Sequence, residues 1–170
     1  MTSMTWTVPS IVKKLLCALC AFALALSLGA CGGESGDVSM YELQKAMLAA
    51  DPGLPEMLTA GSWEENGEKT FSYLSDLDYN KVQDYFLAYA ADGMAYEIAV
   101  IRLKDKADAS AAADSLREHL EGRVRLYKTY EPEQAERAES AVIKTEGSFA
   151  LLIMCDAPAA VENAFREFTK

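Results

Sequence analysis

Histidine is almost missing from this chain: His119 is the only one. A single imidazole cannot build a multi-histidine metal site, and it leaves Ser or Cys nucleophiles short of their usual general base. No G-x-S-x-G, H-E-x-x-H, Walker-type or G-x-G-x-x-G pattern occurs either, so the common hydrolase, metalloprotease and nucleotide-binding motifs are excluded. Basic charge is also scarce, with 16 Lys and Arg against 26 Asp and Glu. That balance argues against nucleic acid as a partner, which needs basic patches, and against lying flat on anionic lipid. No apolar run reaches the roughly 20 residues that a membrane-spanning helix requires.

What is present begins with an address. Lys13 and Lys14 precede Leu15–Leu28, 14 residues without a formal charge. That length suits the h-region of a signal peptide. Gly29 and Ala30 are small, and Cys31 follows at once. The stretch Leu28-Gly29-Ala30-Cys31 resembles a bacterial lipobox. The resemblance implies cleavage between Ala30 and Cys31, a diacylglycerol (palmitate-type) thioether on Cys31, and a protein held by lipid on the extracytoplasmic face of the cell membrane. Two acyl chains anchor stably, at ~0.8 kcal/mol per buried methylene. The implied division is a leader at 1–30, the lipidated Cys and a flexible polar tether at 31–38, and one domain at 39–170. Lys13 and Lys14 are the only charged residues before Cys31, so processing moves the net charge from −10 to −12.

Cysteine usage follows from this division. Cys17 and Cys20 fall inside the h-region and are no redox pair, and Cys31 is consumed by lipid. Cys155 remains alone beside Leu151, Leu152, Ile153 and Met154, where a buried, inert thiol is the reading. With no disulfide, the domain must be stabilised by its core. About 140 residues suffice for that.

The domain reads as alternating blocks. Ser39 and Glu42 form a capping box ahead of a helix over Met40–Ala50. The segment 54–77 is least legible, with a helical turn near Leu54-Pro55-Glu56-Met57 and a turn at Asn66-Gly67. Lys81–Ala90 and Met94–Leu103 flank Ala91-Asp92-Gly93, a hairpin signal. The second of these strands is apolar on both faces and therefore interior. A long helix follows, with Asp108 or Ser110 as cap and Ala109, Ala112, Ala113, Leu116, Leu120, Val124 and Tyr127 on its apolar stripe. Glu131-Pro132 ends it. A second hairpin joins Ser140–Thr145 to the uncharged Ser148–Cys155. A last helix starts near Pro158 with Asp156 as cap. The expected fold is α+β: a four-stranded, mainly antiparallel sheet from two hairpins, packed with helices in the order helix, hairpin, helix, hairpin, helix.

Candidate site residues are few. Glu97 interrupts an interior strand, where a charge needs a partner or a route to water, and Arg123 or Arg125 could supply the partner. His119 falls near the polar side of the long helix and reads as solvated. Asp76, Asp78, Asp84 and Asp92 lack the spacing of a calcium loop and read as an acidic rim. Trp63, Phe71, Tyr73 and Tyr130 lie in the stretches best able to present an aromatic surface to a partner. No metal site or cofactor is implied beyond the diacylglycerol on Cys31.

Leu54-Pro55-Glu56-Met57, Tyr96-Glu97-Ile98-Ala99-Val100 and Tyr130-Glu131-Pro132, behind the lipobox, resemble a domain-of-unknown-function family of small lipoproteins from Gram-positive bacteria. The likeness runs from about Ser39 to Cys155. It implies the membrane address and supplies no activity, substrate or cofactor. The functional reading is a non-catalytic binding or accessory module for a cell-envelope partner; the alternative is a small envelope hydrolase using carboxylates.

Overall fold

The computed structural model describes residues 38–170. The expectations for Ala30, Cys31 and the tether up to Asp37 lie outside the described residues.

The chain enters through helix α1 (Met40–Ala49). Ser39 Oγ accepts the Glu42 amide at 3.4 Å, so the forward half of the capping box forms. The Glu42 carboxylate turns to Lys45 Nζ at 3.2 Å, so the return half does not. Strand β1 (Met57–Gly61) and the short helix α2 (Gly67–Phe71) follow. The long strands are β2 (Val82–Ala90) and β3 (Glu97–Leu103). Helix α3 (Ala109–Tyr130) then leads into α4 (Pro132–Glu139). Hairpin strands β4 (Val142–Glu146) and β5 (Phe149–Met154) and helix α5 (Pro158–Phe168) complete the domain.

The α+β class and the two hairpins are present, but the sheet has five strands, not four. Its order is β1-β2-β3-β5-β4, and every neighbouring pair is antiparallel. The additional strand is β1, in register with β2 from Met57↔Ala90 to Gly61↔Phe86. Leu54-Pro55-Glu56 forms no helix. β3 is central and buried at all seven positions, as its two apolar faces require.

Two cores flank the sheet. One face carries Phe86, Ile98, Val100, Leu151 and Ile153 against Leu43 and Met47 of α1 and Val161 and Phe165 of α5. The other carries Tyr85, Leu87, Ala99, Ile101 and Leu152 against Ala112, Ala113 and Leu116 of α3 and Phe71 of α2. The small residues Ala109, Ala112 and Ala113 let α3 approach the sheet closely.

Two helix starts differ from expectation. Asp108 occupies the cap position of α3, but its carboxylate makes no capping bond and takes Lys81 Nζ at 2.8 Å instead. Asp156 does not cap α5 either. Its oxygens accept from Arg137 Nε at 2.7 Å and from Tyr96 Oη at 2.8 Å. The carboxylate at the start of α5 is that of Asp51, 4 % exposed, which accepts the Ala157 amide at 3.2 Å and the Gly53 amide at 2.9 Å. A distant Asp thus satisfies both a turn and a helix end.

Candidate functional site

Glu97 opens β3 on the α3 face of the sheet, directly across from Tyr89 of β2 and Met154 of β5. Its side chain is 4 % exposed, and a carboxylate so placed must be paired. Helix α3 pairs it twice from positions one turn apart. His119 Nε2 lies 2.6 Å from Oε1, and Arg123 Nε lies 3.3 Å from Oε2. His119 is therefore no solvated residue: its side chain is 18 % exposed, and the polar side expected of it is a buried carboxylate. Of the two arginines considered, Arg123 is the partner. Arg125 points the other way and faces Glu121 at 3.8 Å among exposed side chains.

The network continues along the helix. Arg123 Nη2 donates to Tyr127 Oη at 2.5 Å, and the Tyr127 hydroxyl reaches the carbonyls of Gly93 and Met94 at 3.1 and 3.0 Å. Burial pushes the Tyr127 phenol above its ordinary pKa, so it stays a neutral donor to the hairpin. Gly93, at φ +82°, makes the turn that brings those carbonyls to it. One chain of contacts thus links the β2–β3 turn, β3 and the second half of α3.

Glu97, His119 and Arg123 line a depression of about 250 Å³ with Thr70, Tyr73, Leu87 and Tyr89. A second depression, of about 190 Å³, shares Tyr73 and His119 and runs on to Ser75, Asp76, Ser115 and Glu118. Together they form a cleft between α3 and the segment after α2. Tyr73 stands on its rim, 68 % exposed. Ser115 is not set up as a nucleophile beside His119. Its oxygen accepts the Asp76 amide at 3.0 Å and lies 2.8 Å from Ser75 Oγ.

The other aromatic candidates separate. Phe71 is 2 % exposed and packs on Tyr79 and Tyr85 at ring-centroid distances of 5.3 and 5.1 Å. It belongs to the core and presents no surface. Trp63, 44 % exposed, stacks edge-on against Tyr41 at 5.6 Å, away from the cleft lining. Tyr130 is 73 % exposed at the end of α3 and also stands outside the cleft. Tyr73 and Glu97 are the two predicted residues that the fold brings together. Tyr89 and His119 were missed, although Tyr89 sits at an alternating position of a legible strand.

Cys155 is buried, and burial pushes its thiol up to about 12, which suppresses the reactive thiolate. Among the described residues no cluster of three or more His, Cys, Asp or Glu could hold a metal ion. Among them, too, no helix is long and apolar enough to cross a membrane.

Comparison with curated proteins finds no match. Comparison with solved structures finds none either. Residues 60–155 match the profile of a domain of unknown function, DUF4358, a span that holds the whole sheet except its first three residues and the entire Tyr73–Glu97–His119–Arg123 cleft. That match covers more than half of the chain, which belongs to the DUF4358 family.

Proposed function

We propose that this chain is a lipid-anchored lipoprotein of the Gram-positive type, held on the extracytoplasmic face by a diacylglycerol on Cys31. Its domain serves as a non-catalytic binding or accessory module for a cell-envelope partner. The anchor rests on the agreement of Lys13–Lys14, the uncharged Leu15–Leu28 and the small residues before Cys31. The binding role rests on one observation: the exposed ring of Tyr73 rims a cleft in whose floor the Glu97 carboxylate is paired with His119 and Arg123. Such a floor orients a ligand without holding an activated nucleophile, since Ser115 is engaged elsewhere and Cys155 is buried.

Two experiments test this. Cys31→Ser should abolish incorporation of labelled lipid and release the protein from membranes; unchanged labelling and fractionation would refute the anchor. Crosslinking in cells through a photoreactive residue at position 73 should trap an envelope component, and trapping should fall when Tyr89 is also replaced by Ala.

A second reading, a small envelope hydrolase, is favoured by the short Glu97–His119 contact, since a carboxylate-held imidazole is a common general base. Turnover of an ester, phosphoester or glycoside by the purified protein, abolished by Glu97→Gln, would establish it in place of the first.

A further inference from the structure

We infer that neutral His119 presents Nδ1 as a hydrogen-bond acceptor in the Tyr73–Tyr89 cleft, fixed in that tautomer by Glu97, and that the cleft takes a neutral, hydroxyl-rich ligand: a segment of glycan. The inference rests on reading the domain as a binding module and names the ligand of that same cleft.

The tautomer follows from the partners. A carboxylate paired with Arg123 only accepts hydrogen bonds, so the nitrogen 2.6 Å from Glu97 Oε1 must carry the proton. That nitrogen is Nε2. In neutral imidazole the lone pair then resides on Nδ1, which has no partner among the described residues, on a ring that lines both depressions. Glu97 is therefore a positioning residue, and His119 is the group it positions.

The ligand class follows from what surrounds that lone pair. Arg123 is neutralised by Glu97, and Asp76 and Glu118 add two carboxylates to the lining. The cleft offers no uncompensated cation, which disfavours phosphate, sulfate and acidic lipid headgroups. Its free groups are mostly acceptors, so it suits a ligand rich in donors. Tyr73 and Tyr89 supply the rings. An aromatic wall with a few oriented polar groups matches a pyranose, which has an apolar C–H face and a rim of hydroxyls. Depressions of about 250 and 190 Å³ that share a wall have room for two adjoining sugar units.

His119 is the sole histidine, so long-range ¹H–¹⁵N spectra of the full processed protein at mildly alkaline pH read one imidazole. Wild type should show a protonated Nε2 and an acceptor-type Nδ1. Glu97→Gln, checked for folding by its melting curve, should move the spectrum towards a mixture of tautomers. Titration with chitotetraose should shift the Nδ1 resonance in wild type, and the apparent affinity should drop at least ten-fold in Tyr73→Ala. A protonated Nδ1 in wild type, or no Nδ1 response to the oligosaccharide, overturns the inference. So does a response to spermidine or a basic peptide in place of the sugar. Any of these results leaves the crosslinking test of the binding role standing, and the two failures are thereby distinguishable.

Discussion

Replacing Glu97 by Gln removes one charge from a site that α3 and β3 share, and its cost can be bounded from the geometry. Breaking a fully buried pair by deleting one partner costs ~3–5 kcal/mol, because the orphaned charge stays dry. Here the orphan is Arg123, whose side chain is 27 % exposed and keeps its bond to Tyr127. Water can therefore recover part of its solvation. The Gln amide offers its oxygen to only one of the two groups, His119 or Arg123, and turns its NH₂ on the other. What is lost is the ion pair with Arg123 Nε at 3.3 Å, which lacks hydrogen-bond geometry and is partly exposed, so its worth falls between the ~0–1 kcal/mol of a surface pair and the ~3–5 kcal/mol of a fully buried one. Allowing for that donor–donor conflict, the net cost is about 2–3 kcal/mol. For a domain of this size that corresponds to a fall in Tm of about 8–12 °C.

The control is Glu121→Gln, which breaks the 3.8 Å pair with Arg125 between side chains that are 72 and 73 % exposed. It should change stability by no more than ~0.5 kcal/mol. A double-mutant cycle between Glu97→Gln and Arg123→Gln should show coupling above ~1 kcal/mol, since the residues touch. Urea or thermal melts followed by circular dichroism supply every number. If Glu97→Gln lies within ~0.5 kcal/mol of wild type, or adds independently to the Arg123 change, the buried network does not hold β3 to α3 and the reasoning fails.

Other perturbations follow from single contacts. A Cβ at Gly61 would overlap the Trp63 ring. Gly61→Ala should therefore swing that half-exposed indole into water, read as a red shift of the emission of Trp63, the only Trp after Ala30. Its effect on Tm should be small because the ring is free to move; unchanged emission would contradict the packing. Asp156 is held below its ordinary pKa by Arg137 and Tyr96, and Glu162 by Lys144. Their lowered folded values mean stability that is present above the unfolded carboxylate values and lost as pH falls through the folded ones. Stability should thus hold above about pH 5 and decline below about pH 4, and a protein carrying Asp156→Asn and Glu162→Gln should show a flatter acid limb. Cys155, its thiol raised by burial, should react with Ellman's reagent at pH ~8 only after unfolding; rapid labelling of the native protein would show the strand to be open.

The sheet was largely legible because β2, β3 and β5 are strands whose faces are apolar enough to announce burial, and Gly93 and Gly147, both at positive φ, mark the hairpin turns. β1 was not, and the reason is physical. An edge strand pairs on one side only, so Met57–Gly61 needs few apolar residues. Leu58 is 46 % exposed, and Ala60 and Gly61 carry little strand preference. What holds β1 is its register with β2, a non-local contact that no window of five residues contains. The cap of α5 was illegible for the same reason. Asp156 has the right residue type at the right spacing, but Asp51, more than a hundred positions away, takes the place, and Asp156 goes to Arg137 and Tyr96.

Most of the candidate site is legible in the periodicity of α3. At roughly 100° per residue, take Leu116 as the centre of the face that α3 buries. Tyr127 then falls about 20° from it, Arg123 about 20° to the other side, and His119 about 60° away. Val124, counted in the apolar stripe, is about 80° off, and Arg125 is on the far side. The arc that holds the apolar positions thus also holds two polar residues, His119 and Arg123. A charged side chain within a buried arc demands a partner from whatever the helix covers. The strand it covers carries one charge on the matching face, Glu97; Arg102 lies on the opposite one. The arc as a whole joins His119 to Glu97, and it selects Arg123, which lies inside it, over Arg125, which lies on the far side, as the second partner. It does not reach Tyr73, whose place beside them depends on how the chain turns after α2.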